Sequence, residues 1–184
     1  MTGLWIVLGI IAVVALMLIG IYNGLVSKRQ QCRQAFADVD VQLKQRQNLI
    51  PNLVETVKGY ASHEKETLDA VIKARNSAIS ATGPAETAEA EGMVSAALGK
   101  LFALSEAYPD LKANTNMLQV QEELTSTENR ISFARQHYND SVRRYNTKLE
   151  VIPTNIVKNF GDFPPMEFFE LEDEEQREAP KVSF

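Results

Sequence analysis

Three charged residues are predicted to lie at buried positions, where a charged side chain serves either chemistry or an ion pair. Arg46, Glu128 and Arg135 interrupt two otherwise mostly apolar repeats whose members recur at alternating steps of four and three residues. A buried arginine is costly unless a carboxylate pairs with it, so we expect Glu128 to contact Arg46 or Arg135 inside the molecule. Such a group could form a catalytic or ligand site. We interpret it instead as a structural device that fixes helix register, the usual role of polar residues in a helical seam.

The other reactive side chains do not form a catalytic or metal-binding pattern. The chain has two histidines, His63 and His137, and one cysteine, Cys32. Zinc takes three or four ligands, and no phosphate-binding glycine loop, HExxH or CxxC motif is present. We place both histidines at helix surfaces or seam edges and interpret Cys32 as a small buried hydrophobe. We therefore predict no catalysis, no cofactor and no metal.

A repeated Tyr-Asn pair is the remaining pattern that could bind something. Tyr138-Asn139 and Tyr145-Asn146 are seven residues apart, which puts both pairs on one stripe of a helix. A tyrosine can bury its ring while its hydroxyl forms a hydrogen bond. We expect this stripe to pack against a partner helix, with a ligand cage as the alternative.

The first apolar repeat predicts a long helix that positions Arg46. The register passes through Pro51 without a slip, which favours one helix, kinked at residues 48–51 and ending near residues 75–80. The alternative is that Asn48 caps a new helix with Pro51 in its first turn. The members of this repeat are Cys32, Phe36, Val39, Leu43, Arg46, Ile50, Leu53, Val57 and Tyr60.

Two more helices are predicted after the turn at Gly83-Pro84, over about residues 85–107 and 111–151. Long helices joined by short turns pack antiparallel. We predict an all-α fold, an elongated antiparallel coiled-coil bundle of three to four helices with a mostly extended tail. Met93, Ala97, Leu101 and Leu104 share one face of the second helix, and the third carries Met117, Gln121, Leu124, Glu128, Ile131, Arg135, Tyr138, Val142, Tyr145, Leu149 and Ile152.

The chain begins with an apolar segment. Residues 4–22 carry no charge, are long enough to cross a bilayer as a helix, and have Trp5 and Tyr22 at their ends. No basic residue precedes them and no clear cleavage site follows, which favours an uncleaved anchor over a secretory signal peptide. Gly20 and Gly24 have the spacing that lets two membrane helices pack closely. The predicted divisions are an anchor at 1–22, a helical bundle at 23–161 and an acidic aromatic tail at 162–184.

The charge distribution predicts the orientation of the anchor and excludes one class of partner. Lys28, Arg29 and Arg33 follow the anchor, so the positive-inside rule places the amino terminus outside and residues 23–184 in the cytoplasm. A periplasmic bundle is the alternative. The net charge of −5 resides mainly in residues 162–184, and no basic face of the kind that binds nucleic acid is present.

The segment from Tyr22 to Arg75, with its core RQNLIPNLVETVKGYASHE, resembles the LemA family of bacterial membrane proteins. AYPDLKAN, SFARQHYNDSVRRYN and the closing PKVSF also fit the family. Gln47-Asn48 departs from the His/Asn-Asp pair that commonly precedes LIPNL. The resemblance implies an amino-terminal transmembrane helix, a helical-bundle body and no established enzymatic activity. We expect the membrane to be the bacterial inner membrane. Some relatives are associated with the formation of internal bacterial membrane compartments.

Two functions fit these features. The first is a membrane-anchored, self-associating scaffold that organises or shapes the membrane, because helices of unequal length leave part of the longest seam without an internal partner. The second is an adaptor that recruits a membrane enzyme or signalling protein through the bundle face or the acidic tail. The lipid bilayer and further copies of the chain are the expected partners, with a second membrane protein as the alternative.

Overall fold

The computed structural model describes residues 2–170, which are mainly helical and contain no strand. The all-α class and the long apolar helix at the amino terminus are confirmed. The end of the predicted acidic tail, residues 171–184, lies outside the described residues. The elements are α1 (Thr2–Lys58), α2 (Lys65–Ser80), α3 (Gly83–Ser105), α4 (Pro109–Lys112), α5 (Thr115–Glu150), α6 (Thr154–Val157) and the 3₁₀ turn η1 (Lys158–Phe160).

The first predicted helix ends at Lys58, about two turns after Pro51, and the prediction that it continues to residues 75–80 is wrong. Gly59, a poor helix former, follows directly after α1. The amides of Tyr60 and Ala61 both bond to the carbonyl of Val57, and a turn to residue 64 leads into α2. Ala61 is consequently buried and Tyr60 is exposed, so Tyr60 does not belong to the seam.

The later helix boundaries lie close to the predicted ones. Gly83 begins α3 with a φ of 77°, a conformation that favours glycine. The last long helix begins at Thr115 because the side chain of Asn114 accepts a hydrogen bond from the amide of Met117 at 3.1 Å, which caps the first turn. Beyond Pro153, the predicted helical turn near residues 156–159 corresponds to α6 and η1.

The described chain forms two compact units. The first contains residues 1–39 and 133–168, and the second is built mainly from residues 40–132. In the first unit, the rings of Phe36 and Tyr138 lie 5.4 Å apart. Two turns later on α5, Tyr145 interacts with Arg29, which lies two turns earlier on α1 than Phe36. The two helices therefore run antiparallel. The buried residues of this unit include Leu25, Cys32, Val39, Val142, Leu149 and Phe163.

The second unit has a continuous hydrophobic core from α1, α2, α3, α4 and α5. The buried face of α3 differs from the predicted one, because Met93 is exposed and Val94 is buried. The inward residues of α3 follow Thr87, Glu91, Val94, Leu98 and Leu101, which places a carboxylate in the core. The largest fully buried members of the core are Ile50, Leu53, Val57, Val71, Leu101, Leu111 and Met117.

Pro51 lies inside α1, as the unbroken repeat predicts, while the bend itself stays a prediction. A proline has no amide hydrogen, so the carbonyl four residues earlier, that of Gln47, has no partner within the helix. Arg75 of α2 supplies the missing donor: its Nε donates to the Gln47 carbonyl at 2.7 Å. A tertiary hydrogen bond thus replaces the helical one.

This replacement predicts a specific coupling between two residues. Arg75→Met should lower the free energy of unfolding by roughly 1–3 kcal/mol, because it leaves a partly buried carbonyl without a donor. In a Pro51→Ala background, the alanine amide restores the helical bond, and Arg75→Met should cost much less. Chemical denaturation of the four proteins measures this cycle, and strictly additive effects would contradict the account.

Candidate functional site

Arg46 carries a buried positive charge in the second unit. Its side chain is 3% exposed, and the carboxylate of Glu91, which is 4% exposed, contacts its Nη2 atom. The same nitrogen donates to the backbone carbonyl of Glu91 at 3.3 Å, and Gln47 Nε2 donates to Glu91 Oε1 at 3.0 Å. A buried ion pair needs such additional hydrogen bonds because both charges have lost their water.

Glu128 also contacts the guanidinium, through Arg46 Nη1, which is one of the two pairings expected from the repeats. The expectation that Glu128 lies inside the molecule is wrong, since its side chain is 52% exposed. Thr127 takes the inward position at this level of α5, where its hydroxyl donates to the carbonyl of Glu123 at 2.8 Å. The buried carboxylate is therefore Glu91, and the function of the cluster as a registry device stays a prediction.

The Arg46 cluster borders an open cleft of about 410 Å³ in the second unit. Arg46, Glu128 and Ser95 line its polar side, and Ser95 Oγ lies 3.1 Å from Arg46 Nη1. Both terminal nitrogens of the guanidinium already face carboxylates, so this arginine is poorly placed to bind an added anion. The remaining lining comes from Leu98, Gly99, Phe102, Leu124, Thr125 and Asn129.

The Tyr-Asn stripe packs against α1 through the ring of Tyr138 on Phe36, as expected, and it also binds the chain's own tail segment. In the first unit, Tyr138 and Tyr145 donate to the carbonyls of Glu167 and Pro164 at 2.7 and 3.0 Å. Asn146 holds both the amide and the carbonyl of Met166, each at 2.9 Å. We call residues 162–168 the strap. The four bonds from this stripe go to main-chain atoms, so the groove recognises an extended backbone.

The beginning of the strap is held beside the end of the apolar segment. Arg29 Nη1 donates to the carbonyl of Asp162 at 2.7 Å, and Arg29 Cζ lies 5.1 Å from the centre of the Phe163 ring. The edge of that ring meets Tyr22 at a centroid distance of 5.2 Å. Space is limited here: a Cβ added to Gly161 would lie 2.7 Å from Phe163 and 3.0 Å from Tyr22.

The burial of these groups determines their ionisation. Loss of water raises the pKa of Tyr138 to about 12, with smaller contributions from Cys32 and Glu167. Burial also raises the pKa of Tyr145 and the pKa of the Cys32 thiol. The positive charge of Lys28 partly offsets this rise in the pKa of Cys32. Neutral phenols are the forms that donate to the strap carbonyls, and a neutral thiol is a weak nucleophile. These side chains are therefore suited to a structural role.

The remaining candidate residues are two histidines and one arginine. His63 is exposed, with its Nε2 3.3 Å from the hydroxyl of Tyr108, and His137 is exposed on α5. Arg135 is half-buried in the first unit. Within residues 2–170, no group of His, Cys, Asp and Glu side chains is arranged to hold a metal ion.

The apolar segment of α1 is not covered by any other part of the described chain. Among the residues that the structure describes, α1 is the one helix long and apolar enough to cross a membrane. Its most apolar 18-residue window has a mean hydropathy of 3.0 and is 0% buried. Gly20 and Gly24 lie on it with nothing within 4 Å of an added Cβ.

An uncovered apolar helix joined to an all-helical body is typical of a membrane-associated helical protein. The chain matches the LemA family over residues 35–184 and belongs to that family. Protein LemA of Metamycoplasma hominis is 26% identical over 162 residues, covering 86% of this chain and 73% of that protein. Magnetosome protein MamQ 2 of Paramagnetospirillum magneticum is 24% identical over 190 residues, covering 89% and 70%, respectively.

The buried ion pair predicts unequal costs for its two carboxylates. Glu91→Ala should lower the free energy of unfolding by about 3–5 kcal/mol, because Arg46 would keep a buried charge with one exposed partner. Glu128→Ala should cost at most about 1 kcal/mol, since solvent screens an exposed pair. Glu89→Ala, an exposed change on the same helix, is the control. Equal losses for Glu91 and Glu128 in denaturant melts would contradict this assignment.

The strap contacts predict a local effect of Asn146. Asn146→Leu removes both hydrogen bonds to Met166 and should increase the amide exchange rate of residues 163–168 severalfold, with little change in the core of the second unit. Thr147→Ala, an exposed neighbour on the same helix, should leave exchange unchanged. Hydrogen–deuterium exchange by mass spectrometry measures both. Unchanged protection of the strap in Asn146→Leu would show that these bonds do not hold it.

Proposed function

We propose that this protein is a membrane-anchored scaffold that associates with further copies of itself and organises or shapes the bacterial inner membrane without catalysis. The observation that carries the proposal is the uncovered apolar part of α1, which continues without a break into the packed core of the first unit. Because the anchor and the beginning of the body are one helix, contacts between anchors also bring bodies together.

Several open surfaces support association with further copies. Gly20 and Gly24 form a flat site at the end of the apolar segment, where two helices can approach closely. Large apolar side chains are also exposed on the second unit, including Val41, Ile79 and Leu118. Anchoring in a bilayer raises the effective concentration of the copies, so weak lateral contacts suffice.

The proposed orientation places the amino terminus outside and the body in the cytoplasm. Lys28, Arg29 and Arg33 all follow the apolar segment closely, as the positive-inside rule expects for a cytoplasmic flank. The similarity to magnetosome proteins MamQ is consistent with work at a membrane.

One observation favours an adaptor as the second candidate. The cleft beside Arg46 combines an apolar floor, formed by Leu98, Phe102 and Leu124, with polar groups at one side. Binding sites in proteins are commonly concave and apolar with a few polar groups. A partner protein could occupy this cleft, in which case the anchor would serve to bring that partner to the membrane.

Self-association predicts a homo-oligomer that depends on the two glycines. Full-length protein should form crosslinked oligomers in intact membranes and run as an oligomer in mild detergent. Gly20→Leu with Gly24→Leu should reduce the crosslinked fraction severalfold, because larger side chains separate the helices. Gly9→Leu, a glycine of the same helix outside the pair, should not.

Two outcomes of this experiment would contradict the scaffold. A wild-type monomer without crosslinks in membranes would remove self-association. A monomer that purifies with one other protein would favour the adaptor instead.

A further inference from the structure

The segment that connects α5 to the strap exposes an apolar face. We call residues 151–160 the foot. Its inward residues, Thr154 and Val157, are buried, whereas Ile152 and Phe160 are 79% and 77% exposed and Ile156 is exposed between them. The three exposed residues lie outside the packed side of the foot, which Thr154 and Val157 form. Three large exposed apolar side chains within nine residues mark an interaction surface.

The helix pairing in the first unit places the foot beside the end of the anchor. Phe36 lies against Tyr138, and α1 and α5 run antiparallel from that contact. Twelve residues separate Phe36 from Gly24 along α1, and twelve separate Tyr138 from Glu150, the last residue of α5. At 1.5 Å per residue, both distances are about 18 Å, so the foot begins near the level at which the apolar segment ends.

Direct contacts on the other side of the foot give the same position. Gly161 and Phe163, which follow the foot, meet the ring of Tyr22, and Asp162 is bound by Arg29. Tyr22 is the last residue of the uncharged segment. The foot is therefore held, from both ends, at the level where the anchor leaves the bilayer.

We infer that the foot rests in the headgroup region of the bilayer that holds the anchor, with Ile152, Ile156 and Phe160 inserted among the upper acyl chains. Short amphipathic segments bury their apolar side to this depth. The surrounding charge suits an anionic lipid surface: residues 22–29 and 148–162 contain four cations, Lys28, Arg29, Lys148 and Lys158, against two carboxylates, Glu150 and Asp162.

This inference rests on the membrane anchoring of the proposed function and is independent of self-association. It adds a second insertion, on one side of the bilayer only, beside each membrane-spanning helix. Insertion confined to one leaflet expands that leaflet, which gives the scaffold a means to bend the membrane. A second copy of the chain is the competing occupant of the apolar face, and the experiment separates the two.

The experiment places a fluorescent reporter in the foot of the full-length chain. In a Trp5→Phe background, which removes the one native tryptophan, Phe160→Trp or Ile156→Trp provides the probe. Each protein is reconstituted into vesicles of phosphatidylcholine and phosphatidylglycerol, with or without phosphatidylcholine brominated near the top of its acyl chains. Phe133→Trp is the matched control, because Phe133 is an exposed phenylalanine on α5 of the same unit, far from Tyr22 along the helix pair.

The expected result is a blue-shifted emission for both foot probes, severalfold stronger quenching by brominated lipid than the control shows, and protection from aqueous acrylamide. Foot probes that match Phe133→Trp in both quenchers would overturn the inference. A blue shift without quenching by brominated lipid would also overturn it and would assign the face to a second copy. Flotation of the vesicles distinguishes these results from loss of the anchor, since a protein without its anchor would not float with the lipid.

Discussion

The apolar surface of the first helix is the constraint on which the rest of this structure depends. Its most apolar window is entirely uncovered by the described chain. Burying one large aliphatic side chain is worth about 1.5–3 kcal/mol, so leaving this segment in water would cost tens of kcal/mol. The net stability of a domain is only about 5–15 kcal/mol. Another environment must therefore cover the segment, and a bilayer of matching thickness does so along its whole length.

Inside the body, the need of every buried polar group for a hydrogen-bond partner explains the less regular features. Pro51 is compatible with α1 because Arg75 bonds to the carbonyl that the proline leaves without a donor. Arg46 is compatible with the core because Glu91 and Gln47 complete its surroundings. In the first unit, the strap has no regular structure, and side chains of α5 satisfy its carbonyls. Each irregularity is matched by a donor or acceptor from a neighbouring element.

Much of this fold can be predicted from the sequence, and the predictions that are wrong have identifiable physical causes. The repeat through Pro51 correctly predicts an uninterrupted helix at that point, and the polar positions at Arg46 and Glu128 correctly predict a contact. The end at Lys58 was not predicted, because the apolar register extends to Tyr60 and hides the effect of Gly59. Local helix propensity decided the boundary.

Two parts of the candidate site were not predicted from the sequence. Glu91 was missed because Met93 was assigned to the inner face of α3; the pattern Thr87, Glu91, Val94, Leu98, Leu101 also has helical spacing and contained the signal. The strap gave no such signal. Tyr138, Tyr145 and Asn146 bind main-chain atoms, which every residue has, so their partner cannot be recognised from side-chain pattern.

The central claim is that residues 4–22 remain on the protein and hold it in a membrane. Its most direct test is the intact mass of the full-length chain recovered from bacterial membranes after an alkaline carbonate wash. The account predicts that the protein stays in the washed membranes, is released by detergent, and has the mass of a chain that still carries the apolar segment. Release by carbonate, or a mass that lacks this segment, would contradict it.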